Sequence, residues 1–143
     1  MIDETKIIRA AGTVFLSKKT KRLLLNFRSE NVSHPKCFGF WGGKLNSDEK
    51  IYQGLTREVI EELGFIPRYI KTNILDQYIS PDGKFKYYSF VVLVDDEFIP
   101  HLNHESCGYC WLEIGCYPRP LHPGARVLLE DKNIIALFKK LCE

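Results

Sequence analysis

Between Gly43 and Phe65 the chain reads G-K-L-N-S-D-E-K-I-Y-Q-G-L-T-R-E-V-I-E-E-L-G-F, with five acidic residues and one arginine at fixed offsets between glycines. On a helix, Glu58, Glu61 and Glu62 stand at i, i+3 and i+4, so the three carboxylates share one face. Like charges this close repel and cost stability unless something positive sits among them. An oxygen-only donor set of this charge suits a hard divalent cation such as magnesium.

The elements that must carry this stretch follow from pattern. Asn46 and Ser47 are N-cap candidates, with Glu49 placed to serve the exposed amides from Asn46. Ile51, Tyr52, Leu55, Val59 and Leu63 form an apolar stripe beside the acidic face, and Gly64 is a natural C-cap. Gly54 is unfavourable in mid-helix by about 1 kcal/mol relative to alanine, and its missing side chain leaves room one turn before Glu58. Ile7 to Ser17 and Arg22 to Phe27 read as a hairpin around S-K-K-T-K. Tyr69 to Ile79 and Phe85 to Val94 read as a second hairpin around S-P-D-G-K, in which Pro81 takes the second turn position. A polar loop over Asp95 to Gly108 leads to a strand at Tyr109 to Ile114, and Arg126 to Cys142 reads as a closing helix with Ile134, Ile135, Leu137, Phe138 and Leu141 inward. Strands, helix, strands, helix predict an α/β architecture with a mixed sheet between helices.

A length of 143 residues with 45% apolar residues suffices for one core, so residues 1–143 are read as a single domain. No apolar run is long enough to span a bilayer. The opening M-I-D-E-T-K lacks a secretory pattern and the ending L-C-E is not a lipidation box, which predicts a cytoplasmic protein. The net charge of +2 does not support a polyanion partner, and Lys18, Lys19, Lys21 and Arg22 read as a solvated hairpin tip. Five cysteines without a secretory signal predict free thiols. His104, Cys107, Cys110 and Cys116 can be written as a zinc set, but the irregular last spacing and the strand-like surroundings of Cys110 read against it.

Gly43, five residues, Glu49, seven residues, then R-E-V-I-E-E-L-G-F resembles the full signature of the Nudix hydrolase family. The resemblance implies a Nudix-type α/β/α sandwich and metal-dependent hydrolysis, with Mg2+ or Mn2+, of a diphosphate linked to a nucleoside. By the same resemblance Glu58, Glu61 and Glu62 hold metal, joined by the backbone carbonyl of Gly42. Arg57 orients the carboxylates with Glu49 as its counterpart, and Gly43 permits a tight turn. Many members carry a further acid in a late loop, as ligand or general base. Glu105 in L-N-H-E-S occupies the matching loop, and Glu61 is the rival base.

For substrate, Arg28 stands fifteen positions before Gly43 and Lys44 follows the glycine pair, as nucleotide-contacting residues do in the nucleoside-triphosphate branch that this chain most resembles. Phe40, Trp41, Tyr87 and Tyr88 offer stacking faces, although strand aromatics are usually core; Phe40 is taken as the approach to the base. Trp41 stands where that branch commonly has proline, which would alter the pocket entrance. The P-L-H-P-G loop, with His122, lacks the asparagine that reads purine there. The resemblance favours a nucleoside triphosphate, oxidised forms included, cleaved to monophosphate and pyrophosphate. ADP-ribose or another nucleotide sugar follows, then a triphosphorylated RNA 5′ end, with a non-catalytic nucleotide-binding module as a different class. Many relatives are homodimers.

Overall fold

A computed structural model describes residues 6–143. All but Lys6 of the opening M-I-D-E-T-K therefore lies outside the described residues. The sheet takes in β1 (Ile8–Ser17), β2 (Arg22–Arg28), β3 (Phe38–Gly39), β4 (Trp41–Lys44), β5 (Lys71–Ile79), β6 (Phe85–Val94) and β7 (Ser106–Glu113). Three helices accompany it: α1 (Ile51–Leu63), α2 (Pro123–Leu129) and α3 (Lys132–Leu141).

The strand order is β3-β2-β1-β6-β5, with β4 on β1 and β7 on β2. β1 and β6 run parallel from Ile8 opposite Phe85 to Ser17 opposite Val94, while the other pairs are antiparallel. The sheet is mixed because β1 and β6 are separated by α1 and the β5 hairpin, a connection long enough for a parallel return.

Alternation along the central strands explains the two layers. Phe15, Leu24, Tyr88, Phe90 and Val92 face one side and pack with Leu55, Val59 and Leu63 of α1. Val14, Leu16, Leu23, Leu25, Val91 and Leu93 face the other and pack with Ala125, Leu128, Leu129 and Phe138 of α2 and α3. Both faces are covered, which is why the run Leu23-Leu24-Leu25 is wholly buried. The mixed sheet between helices is what the pattern predicts, and the α/β/α sandwich is what the family resemblance implies.

Four local expectations are corrected. α1 starts at Ile51 with Lys50 as N-cap, not at Asn46 or Ser47; Glu49 accepts the Asn46 N–H at 3.0 Å in a turn ahead of the helix. Tyr52 leaves the apolar stripe and is 58% exposed. The closing helix is broken into α2 and α3, because Asp131 accepts from Asn133 N–H and Ile134 N–H and restarts it. β7 begins at Ser106 rather than Tyr109, which shortens the polar loop.

Both hairpin turns are as read. Lys19 and Arg22 at the first tip pair with Asp96 at 3.4 Å and Glu97 at 2.6 Å, so half of its basic cluster is already neutralised. In the second, Gly83 N–H donates to Ser80 O and Asp82 accepts from Ser80 Oγ and Lys84 N–H, so Pro81 sits in a hydrogen-bonded turn. All five cysteines are free. Among the described residues no helix is long and apolar enough to cross a membrane.

Candidate active site

The acidic face of α1 is organised by one guanidinium. Arg57 Nε donates to Glu49 Oε2 at 2.8 Å and Nη2 to Glu49 Oε1 at 3.0 Å, a bidentate pair of the strong kind. Its Nη1 reaches Glu58 Oε1 at 3.0 Å and Glu61 Oε1 at 3.2 Å, and Nη2 also reaches the Lys44 carbonyl at 3.0 Å. The hydrogen bonds from Arg57 and from the Asn46 amide hold the Glu49 carboxyl down to about 2. Glu49 in turn raises the Arg57 pKa, so the pair stays ionised. Gly54 makes this possible, because a Cβ there would collide with the Leu45 side chain and lie 2.8 Å from Glu49 Oε1. The room left by Gly54 thus serves Glu49 rather than Glu58.

Glu58 and Glu62 point inward, 8% and 4% exposed, and meet Glu105 from the loop ahead of β7. One oxygen of each lies within 4.8 Å of the others. Burial raises the Glu58 pKa, partly offset by Arg57, and burial raises that of Glu62 well above the carboxylate range. Two buried acids with a third beside them hold charge poorly alone. Three hard oxygen donors converging on one point fit a divalent cation such as Mg2+ or Mn2+. Glu61 does not join the three; its side chain is 52% exposed and lies on the rim, held by Arg57.

Two adjacent glycines bring the backbone against this cluster. Gly42 donates its N–H to Glu62 Oε2 at 2.9 Å and has φ +145°, with its Cα face against the Ala11 carbonyl. At Gly43 a Cβ would lie 2.6 Å from Glu58 Oε2. Gly43 therefore serves the close approach of Glu58 from within β4, not a tight turn, and its φ is not in the left-handed range.

Glu105 is placed by a residue that pattern reasoning missed. Asn103 Oδ1 accepts the Glu105 N–H at 2.9 Å, while Asn103 Nδ2 donates to the Glu61 carbonyl at 2.9 Å. His101 N–H donates to the Leu63 carbonyl at 2.9 Å, so the loop is laced to the last turn of α1. Nothing in the spacing marks Asn103; the only hint is an Asx residue two positions before the acid.

The substrate candidates fare unevenly. Phe40 is corrected: it is 7% exposed within the core under α2 and α3, so its ring is not open to a base. Trp41 is fully buried against the α1 side and donates Nε1–H to the Leu24 carbonyl at 3.2 Å, so it replaces proline as core and not as a pocket entrance. Tyr88 is core as well, whereas Tyr87 is half-buried with its hydroxyl over Gly12, where a Cβ would collide with it. Lys44 is exposed. Arg28 is half-buried and folded onto its own loop, donating to the Ser33 carbonyl at 2.6 Å and the His34 carbonyl at 3.2 Å. The zinc reading finds no support: among the described residues the only group able to gather on an ion is Glu58, Glu62 and Glu105.

Beside Arg28, the His122 ring lies 4.6 Å from that of His34 and its Nδ1 accepts the Gly124 N–H at 3.1 Å, which leaves the proton on Nε2. Burial, with Arg28 and His34 adding to it, pushes His122 down to about 4 from 6.5. Between these values the unfolded chain binds a proton that the folded ring refuses, so stability drops as pH falls from 6.5 toward 4. We expect His122→Gln to melt with a shallower pH dependence than wild type across that window. Equal slopes in the two melting series would refute the neutral ring.

The NUDIX domain family model matches residues 6–132, and the chain belongs to that family. It is a Nudix pyrophosphohydrolase, an enzyme of the class that the resemblance implied. No curated relative matches the sequence significantly. Among solved structures it is similar to the MutT Nudix hydrolase of Burkholderia pseudomallei, at TM-score 0.66 and 22% identity over 87% of this chain and 96% of that one. It is similar to a MutT protein of Methanosarcina mazei, at TM-score 0.65 and 23% identity over 94% of each chain. The NUDIX domain of Shewanella oneidensis NrtR, solved in complex with ADP ribose, aligns at TM-score 0.69 and 18% identity over 94% of this chain and 88% of that one. At these identities the likeness is one of fold.

Proposed function

We propose that the chain hydrolyses the diphosphate of a nucleoside triphosphate, oxidised deoxynucleotides included, to the monophosphate and pyrophosphate. The observation that carries this reading is the convergence of Glu58, Glu62 and Glu105 within 4.8 Å on a face braced by Arg57 and Glu49. These three carboxylates, joined by the carbonyl of Gly42, would hold Mg2+ or Mn2+. A divalent cation bound there supplies neutralisation of the diphosphate oxygens and a more acidic water.

The chain's own groups do the rest. Arg57 keeps Glu58 and Glu61 in place while remaining charged, and Glu49 keeps Arg57 in place. Glu61, outside the three and exposed on the rim, is assigned the proton that the attacking water loses as its oxygen bonds to phosphorus and the bridging P–O bond breaks. Lys44 and Arg28 supply positive charge on the approach, Arg28 by exchanging its loop carbonyls for phosphate. We place the reaction in a cytoplasm, in keeping with five free thiols.

ADP-ribose is the second reading, since the NrtR domain similar to this chain was solved with it. Incubation with dGTP, an oxidised dGTP, ADP-ribose and triphosphorylated RNA, with and without Mg2+, separates the readings by product. We expect monophosphate and pyrophosphate from the triphosphates only, and none after chelation. Metal-dependent cleavage of ADP-ribose alone would move the assignment to the second reading; no turnover on any substrate would indicate a binding module.

A further inference from the structure

Arg9 lies on β1, outside the Gly43–Phe65 signature, yet among the described residues the hydrogen bonds its side chain makes go to the loop that precedes α1. A single nitrogen, Nη2, donates to the carbonyls of Glu49 at 2.7 Å, Asn46 at 3.0 Å and Ser47 at 3.3 Å. The Arg9 carbonyl also accepts the Leu45 N–H at 2.8 Å, so backbone and side chain grip the same loop from both ends. Among the described residues Arg9 forms no ion pair.

The bonds to Asn46 and Ser47 are exposed, where water could serve the carbonyls, and the bond to Glu49 is part-buried, so this charged donor both orders the turn and holds the buried Glu49 main chain. What it orders is Glu49. The main chain of Glu49 is held by Arg9 while its side chain holds Arg57, and Arg57 holds Glu58 at 3.0 Å. We propose that Arg9 is a positioning residue for the carboxylate site, fixing the Glu49–Arg57 clamp from a neighbouring strand so that Glu58 is presented at the distance a cation needs. The proposal rests on the reading of the three carboxylates as a metal site.

The test compares wild type, Arg9→Met and Arg9→Lys in Mn2+ binding, followed by the free-ion signal in electron paramagnetic resonance, together with kcat, KM and thermal melting. Outer-shell partners typically change affinity or activity by about 10–100-fold, and Arg9 stands two contacts further out, behind Glu49 and Arg57, which places its effect at the low end. Arg9→Met is therefore expected to weaken Mn2+ binding about tenfold and lower kcat about tenfold, with substrate KM within about twofold of wild type. Arg9→Lys, which returns one cationic nitrogen to a site where one nitrogen makes every contact, is expected to recover about half of both losses on a logarithmic scale, leaving each about threefold short of wild type.

Wild-type Mn2+ affinity and kcat in Arg9→Met, whatever its melting temperature, would overturn the proposal, because a merely structural residue moves only the melting. If Arg9→Met does not fold, Arg9→Lys decides: Mn2+ binding weakened two- to fivefold at an unchanged melting temperature upholds it, and wild-type binding overturns it. Should wild type bind Mn2+ but cleave no diphosphate, the proposed reaction fails while the binding series still judges Arg9.

Discussion

Glu62→Gln is expected to lower turnover by more than about 100-fold, beyond the 10–100-fold typical of groups that only support a ligand. Glu62 is the most buried of the three converging carboxylates, and its Oε2 already accepts the Gly42 N–H. Glutamine has the same length and can still accept that N–H through its amide oxygen, but it brings no charge to the cation. The fold should survive and, without metal, gain. Burial raises the Glu62 pKa above the unfolded value of 4.5, so the folded state binds the extra proton and loses stability as pH rises above that value. A neutral amide removes that cost at neutral pH. The checks are pyrophosphate release, Mn2+ binding and thermal melting in chelator. Near-normal turnover, or a variant that melts well below wild type in chelator, would remove Glu62 from the site.

Gly43→Ala should separate activity from stability in the opposite way to a core lesion. The added methyl would stand 2.6 Å from Glu58 Oε2 and 2.7 Å from Glu58 Cδ. These atoms end a flexible side chain, so the carboxylate swings away while the backbone stays. Since Gly43 does not have a left-handed φ, alanine is free to adopt its conformation, and Gly-to-Ala changes at compatible sites contribute about 0.4–1 kcal/mol through the unfolded chain. We therefore expect a melting temperature at or slightly above wild type, with turnover reduced about 10–100-fold by the displaced carboxylate. Gly42→Ala is the contrast. At φ +145° its methyl meets the Ala11 carbonyl, which is backbone in β1 and cannot swing aside. If both alanine variants lose stability alike, the distinction between a backbone and a side-chain neighbour is wrong.

The contrast between these glycines marks where pattern stops. Spacing alone could place Glu58, Glu61 and Glu62 on one helical face, because helical geometry is local. It could not rank them. Inward Glu62 and outward Glu61 are adjacent residues, and only the packing of Leu55, Val59 and Leu63 against the sheet turns one into a buried corner and leaves the other on the rim. Pattern places Phe40 on the approach to the base and Trp41 at the pocket entrance for a related reason. An aromatic beside a glycine pair looks like a stacking platform until both faces of the sheet are seen to be covered, after which each ring has a core to fill. The split of the closing helix escapes the periodicity over Arg126 to Cys142, although Asp131, an N-cap with an apolar run after it, carries a local signal for it.

By itself the sequence determined a carboxylate site for a hard cation and, through the family signature it carries, the reaction class. The residues that carry the signature lie within one helix and the turn before it, where the spacing of Glu49, Arg57, Glu58 and Glu61 translates directly into contacts. Tertiary structure alone decided which acids converge and what holds them. Glu105 arrives from a loop more than forty residues on and is steered by Asn103, and Arg9 reaches across from the first strand to the turn at Glu49. Such contacts depend on the parallel pairing of β1 with β6 and the return of the chain over α1, and long-range placement of this kind leaves no periodicity in the chain to be read.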